Sequence, residues 1–161
     1  MASDARKPFD KPDSCRTLAL EVEGRKFWVS RELLSTYSPV FKAMLFGDFT
    51  EADKTSIPLP QKKSDDVEEL LLCLIPMPQI KKIDYSNVAL ILEFADEYQI
   101  AILFQWANMA VALMVQEWKK VDEKLLDILP IASKYCLKKT LKTLCKRCIV
   151  EFEMKVLEPL F

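Results

Sequence analysis

The chain has 161 residues, half of them hydrophobic, in 18.6 kDa. That is enough for one ordinary domain with a sizeable core, or for a domain of about a hundred residues with an extension. With 23 basic and 24 acidic residues the formal charge is −1, which argues against bulk electrostatic attraction to nucleic acid or membrane, and the lack of histidine removes every Ser-His or Cys-His nucleophile.

No apolar run approaches the roughly eighteen residues that span a bilayer, and MASDARKPFDKPDS carries no apolar signal core, so a cytoplasmic or nuclear protein is expected. Two glycines leave no phosphate-cradling loop, and the carboxylates fall at helix starts or on polar faces, so no enzyme and no cofactor are expected.

Residues 1–14, with Pro8 and Pro12, read as a flexible polar lead-in. Leu18, Leu20 and Val22 then alternate with Thr17, Ala19 and Glu21. Glu23-Gly24 turns the chain, and Phe27 and Val29 return facing inward, which predicts a β-hairpin. Leu33, Leu34 and Tyr37 share one face of a helix that Pro39 must end. Ser38-Pro39 supplies the N-cap and first position of a second helix with Val40, Phe41, Met44 and Leu45 on its apolar stripe, and Gly47 is the expected left-handed C-cap. Asp48 to Lys54 is a polar loop holding one large aromatic residue, Phe49, which either folds back into the core or stays outside as a contact. Thr55 to Leu59 reads as a short strand with Ile57 and Leu59 inward.

Ser64 is the expected N-cap of a third helix, with Asp65 and Asp66 in its first turn and Val67, Leu70, Leu71, Leu74 and Ile75 as its apolar face; Pro76 and Pro78 stop it. Two helical pairs follow, about Asp84–Trp118 and Val121–Phe152. They look like a repeat at an offset of 37 residues, in which Leu92, Ala95, Tyr98 and Ile100 match Leu129, Ala132, Tyr135 and Leu137. Lys134, Lys138, Lys139, Lys142, Lys146 and Arg147 face no Asp or Glu between Ile128 and Val150, which leaves 17 basic against 24 acidic residues elsewhere. Such a face is a solvated surface or, alternatively, a contact for phosphate backbones, although it lacks interleaved aromatic residues for base stacking. Of the cysteines, Cys15, Cys73, Cys136, Cys145 and Cys148, the spacing Cys145-x-x-Cys148 would suit a zinc or redox pair. It lies in a lysine-rich helical pattern without a second pair, so no metal site is expected, and reduced, mostly buried thiols are.

The pattern V-x-x-x-L-L-x-x-x-S-P-V-F-x-A-M from Val29 to Met44, followed by G-D-F-x-E and a short apolar strand, resembles a BTB (POZ) domain of the kind that serves as a cullin adaptor. The likeness runs from about Thr17 to Trp118. It implies an α+β BTB/POZ fold, a helical core with a small sheet, over residues 15–118. Residues 119–161 resemble the start of the BACK or three-box helical extension, which would follow as a C-terminal helical hairpin. In that family a hydrophobic-x-Glu triplet docks on the cullin of a ubiquitin ligase, and Phe49-Thr50-Glu51 matches it. The resemblance thus implies a non-catalytic adaptor with a cullin and an unknown substrate protein as partners. It further implies a homodimer, with Leu18, Leu33, Leu34 and Tyr37 as interface candidates. Thr17 stands where relatives commonly begin the first strand with aspartate, Ser30 where histidine often follows the second, and Ile75-Pro76-Met77-Pro78 replaces a Tyr-x-Gly turn. Nothing in the chain resembles a MATH or Kelch substrate reader. The alternative reading is a homodimerising scaffold, or a competitor that binds the cullin and recruits nothing.

Overall fold

The computed structural model describes residues 8–47, 55–75, 81–117 and 123–157. The chain divides into two compact units, one of residues 1–80 with 96–101 and the other of residues 81–95 with 102–161.

The first unit begins with the predicted hairpin, β1 (Leu18–Val22) and β2 (Arg25–Val29), paired antiparallel with Leu20 opposite Phe27 and Leu18 opposite Val29. Glu23 and Gly24 both take positive φ, 49° and 78°, which a two-residue turn needs if its twist is to match that of the strands. β3 (Ser56–Pro58) adds to the other side of β1, parallel, with Ile57 opposite Leu20, giving the order β2-β1-β3. Ala19 was expected on the outward side of the alternation but is buried. It lies on the central strand between Trp28 and Ser56, and its small side chain is covered by its neighbours.

Residues 8–14 differ from the polar lead-in expected there. Phe9 is buried, and its carbonyl accepts the Trp28 N–H at 2.8 Å, which partly covers the open edge of β2. A turn then forms as the Asp13 carboxylate accepts the backbone N–H groups of Cys15 and Arg16 at 2.9 and 2.7 Å.

α1 (Arg31–Tyr37) is capped by Ser30, whose Oγ accepts the Leu33 N–H. α2 (Pro39–Phe46) follows with no gap beyond Ser38, which closes one helix with its N–H on Leu34 O and opens the next with Oγ accepting the Phe41 N–H at 3.0 Å. Gly47 ends α2 as predicted, but with φ −84° and ψ −177° it is extended rather than left-handed. Its N–H still bonds Ala43 O, and the Leu45 carbonyl is satisfied by the Arg31 guanidinium at 3.1 Å, so the last turn is completed from outside the helix.

α3 (Ser64–Leu74) buries Val67, Leu70, Leu71, Cys73 and Leu74. Its N-cap is Lys63 rather than Ser64 and uses no side chain; instead the free Ser64 N–H donates to the Glu23 carboxylate at 2.8 Å. Arg25, next along the hairpin, reaches Glu68 at 2.7 Å and Asp65 at 3.2 Å. The hairpin turn thus does for α3 what a local cap would have done. Pro76 and Pro78, expected to stop it, lie outside the described residues.

In the second unit, Asp84 to Asn87 form a polar entry to α4 (Val88–Glu97). The Asn87 side chain, nearly buried, accepts the Asp84 N–H at 2.9 Å and donates to Lys82 O at 3.1 Å. α5 (Ala101–Glu117) buries Leu103, Ala107, Val111, Ala112 and Val115. α6 (Glu123–Lys134) and α7 (Lys138–Leu157) make the second helical pair, and α7 continues past the predicted Phe152. The N-terminal turn of α7 is held from α5, where Asn108 Oδ1 accepts the N–H of the buried Thr140 at 2.9 Å.

The internal repeat is visible in the backbone. Gln99 and Cys136, 37 positions apart, are both left-handed at φ 52° and 51°, and donate to the carbonyls of Asp96 and Ser133, also 37 apart. Ala95, Ala132, Ile100 and Leu137 are buried as matched, whereas Leu129 is 44% exposed and Ile128 takes the core position beside it. A small sheet with predominantly helical content is the α+β arrangement expected.

Candidate protein-interaction site

The predicted docking triplet, Phe49, Thr50 and Glu51, lies outside the described residues. Its anchors do not. On the upstream side α2 ends in Phe46, 55% exposed, three residues before Phe49. The Arg31 guanidinium, drawn to the negative C-terminal end of α2 by the Leu45 carbonyl, lies 6.0 Å from the Phe46 ring centroid. On the downstream side Ala19 donates its N–H to Thr55 O at 2.9 Å, and Leu59 donates to Glu21 O, so β3 is fixed to the central strand at both ends. Periodicity puts Val40, Phe41, Met44 and Leu45 on the apolar stripe of α2 and leaves Phe46 off it; the position of Phe46 between Leu45 and the terminating Gly47 is the available signal.

The four interface candidates divide. Leu18 and Leu34 are 0% and 1% exposed within the isolated chain, so neither offers surface to a second molecule. Hydrophobic periodicity marks such residues as apolar but does not say whether the chain itself or a partner covers them. Leu33 and Tyr37 are half-buried and retain accessible surface. Leu33 also borders a cavity of about 250 Å³ shared with Phe9, Asp13, Cys15, Arg16 and Ser30. Asp13 is held at a pKa of about 2, chiefly by its side-chain bond with Arg16 and then by the backbone N–H groups of Arg16 and Cys15. With Arg16 engaged by Asp13 and by the Pro8 carbonyl, this rim is an internally neutralised turn.

The thiols depart from the burial expected of them: Cys73 is buried, while Cys15, Cys136, Cys145 and Cys148 are exposed. Cys136 occupies the α6–α7 turn, and Cys145 and Cys148 are exposed on α7. Among the described residues no group of three His, Cys, Asp or Glu side chains is arranged to hold a metal ion, and no helix is long and apolar enough to cross a membrane. Lys134, Lys138, Lys139, Lys142 and Lys146 are all exposed, and Lys134 stacks over Tyr135 at 4.7 Å.

The sequence model of the BTB/POZ domain matches residues 7–111, more than half of the chain. It starts before Phe9, in keeping with the packing of that residue. The chain is similar to the BTB and MATH domain-containing protein 38 of Caenorhabditis elegans, 36% identical over 83 residues that make 52% of this chain and 21% of that protein. It is also similar to the BTB and MATH domain-containing protein 36 of the same organism, 26% identical over 132 residues, 80% of this chain and 38% of that protein. The matched regions are therefore well under half the length of these relatives. BTB/POZ domains mediate protein–protein interaction and dimerisation, which accords with a surface offering exposed apolar residues and a net charge of only −1. The hairpin, the Ser38-Pro39 helix junction and the three-stranded sheet, together with the match over residues 7–111, establish that the chain belongs to the BTB/POZ domain family.

Proposed function

We propose that the protein is a non-catalytic adaptor that docks on a cullin scaffold and presents a substrate protein to a ubiquitin ligase, in the cytoplasm or nucleus. The observation that carries this reading is Phe49-Thr50-Glu51, a hydrophobic-x-Glu triplet in the connection between α2 and β3 of a BTB/POZ domain. Phe49 fills an apolar pocket of the cullin and Glu51 makes the polar contact beside it. Phe46, exposed at the end of α2, extends the apolar contact towards the triplet. Residues 119–161 act as a BACK-like extension that widens the same surface. The names of the two relatives pair a BTB domain with a MATH domain, which fits an adaptor whose substrate reader is a separate module.

The test is size-exclusion chromatography with light scattering on the chain alone and mixed with the N-terminal domain of a cullin. A stoichiometric complex that is lost in the Phe49→Ala, Glu51→Ala double variant, with the fold intact, supports the adaptor. Interface energy concentrates in a few anchors, so Phe49→Ala alone is expected to cost about 2 kcal/mol of binding. Unchanged affinity in both single variants overturns the assignment. The second reading, a homodimerising scaffold, draws on the half-exposed Leu33 and Tyr37; it predicts a dimer that takes up no cullin.

A further inference from the structure

Cys145 and Cys148 are free thiols, both exposed, one turn apart on α7. Around them Lys138, Lys139, Lys142 and Lys146 are exposed as well, and along the sequence the flanking carboxylates are Asp127 and Glu151, so basic residues predominate beside Cys145. A patch of one sign raises the local concentration of small ions of the other sign. Side chains three apart on a helix are neighbours, with Cβ atoms about 5–6 Å apart, whereas a disulfide needs about 3.5–4.5 Å. The two sulfurs can therefore meet only if the turn tightens by about 1–2 Å, which makes any bond between them strained and easily reduced.

We propose that Cys145 and Cys148 form a dithiol modification site on α7 that reacts with an anionic low-molecular-weight disulfide. The Cys145 thiolate attacks one sulfur of that disulfide, forming a mixed disulfide and expelling one small thiolate. The Cys148 thiolate then attacks the Cys145 sulfur, expels the second small thiolate and closes the Cys145–Cys148 bond. The two cysteines are oxidised, the small disulfide is reduced to two thiols, and the two cysteine protons pass through solvent to the expelled thiolates. The lysines draw the anionic reagent to the site, and the strained product returns the pair to its reduced form when the reagent pool is reduced.

The experiment equilibrates the full 161-residue chain with oxidised and reduced glutathione at stepped ratios, quenches by alkylation and maps tryptic peptides. Trypsin cuts after Lys146 and Arg147, so a Cys145–Cys148 bond appears as two joined peptides. The internal standards are Cys15 and Cys136, exposed thiols without a neighbour in sequence. The expected result is that the joined peptides form only towards the oxidising end of the series, that they reopen at ratios where Cys15 and Cys136 still carry glutathione, and that Cys148→Ser traps glutathione on Cys145 instead. Added salt is expected to slow the reaction at Cys145 several-fold more than at Cys15. A common titration curve for all four exposed cysteines, or glutathione on Cys145 and Cys148 with no joined peptides, overturns the proposal.

Discussion

Ser38→Ala is expected to be the most damaging single-oxygen deletion in the first unit, because one fully buried hydroxyl serves two partners. Its Oγ accepts the Phe41 N–H at 3.0 Å as the N-cap of α2, and donates to the carbonyl of Tyr98. Loss of a Ser N-cap costs about 1 kcal/mol, and loss of the donor to a buried carbonyl costs a further 1–3 or so. The sum, about 3 kcal/mol, is a large part of the roughly 5–15 kcal/mol by which domains are stable. The Tyr98 ring stacks on Phe41 with centroids 4.6 Å apart and planes 7° from parallel, so a shift of the Tyr98 backbone also disturbs an aromatic pair. The assay is urea unfolding followed by circular dichroism. With m of about 2–3 kcal/mol/M, the midpoint should fall by about 1–1.5 M at unchanged m. Ser38→Thr keeps the oxygen and is expected to avoid most of the loss. A cost below about 1 kcal/mol for Ser38→Ala would mean that the Tyr98 carbonyl does not depend on this hydroxyl, and the two-partner account would fall.

Two further expectations concern single groups. Burial, and then the Glu97 carboxylate, push the Tyr98 phenol up to about 12, against about 10 in an unfolded chain. Its contribution is complete below pH 10 and is lost as pH rises from 10 to 12, amounting to about 2–3 kcal/mol; Tyr98→Phe should flatten that alkaline limb of the stability curve, and an unaltered limb would refute the assignment. Asn108→Ala removes the acceptor of the buried Thr140 N–H and should cost about 1–2 kcal/mol, with faster hydrogen exchange at Thr140 as the local readout; unchanged exchange there would show that α7 is not held from α5.

What was legible in the sequence was what depends on neighbours along the chain. The hairpin follows from alternation and a Glu-Gly turn, the α1–α2 junction from Ser38-Pro39, and α3 from its apolar face. The repeat is legible because Asp96 to Ile100 and Ser133 to Leu137 use the same turn chemistry. What was not legible depends on groups far apart in sequence. Gly47 has no need of a left-handed cap because Arg31 supplies the donor, and Ser64 does not serve as an N-cap because Glu23 reaches across. Phe9, in a stretch of charge and proline, packs because β2 leaves an edge open. For the candidate site the same limit applies: periodicity put Leu18 and Leu34 among apolar residues, and only the three-dimensional arrangement shows that the chain consumes them itself, leaving Leu33, Tyr37 and Phe46 as accessible surface.

Glu23 is where local and distant demands meet, and its substitution separates them. Left-handed backbone costs a residue with a Cβ about 1–2 kcal/mol, and Glu23 bears that cost at φ 49° while its carboxylate supplies the α3 cap that Lys63 does not. Glu23→Ala keeps the strain and loses the cap, so a loss of about 1 kcal/mol is expected. Glu23→Gly loses the cap but relieves the strain, and the extra freedom of the unfolded glycine chain offsets about 0.4–1 kcal/mol of that relief. At the middle of these ranges the expected order of stability in urea is wild type, then Gly, then Ala, with Ser64 amide exchange raised equally in both variants because both lose the same acceptor. If the Gly variant matched or exceeded the wild type and Ser64 exchange did not change, the carboxylate would contribute no cap. The ion pairs of Arg25 would then carry more of the link between the hairpin and α3; its guanidinium is held in its charged form first by Glu68 and also packs over the Phe27 ring at 4.8 Å.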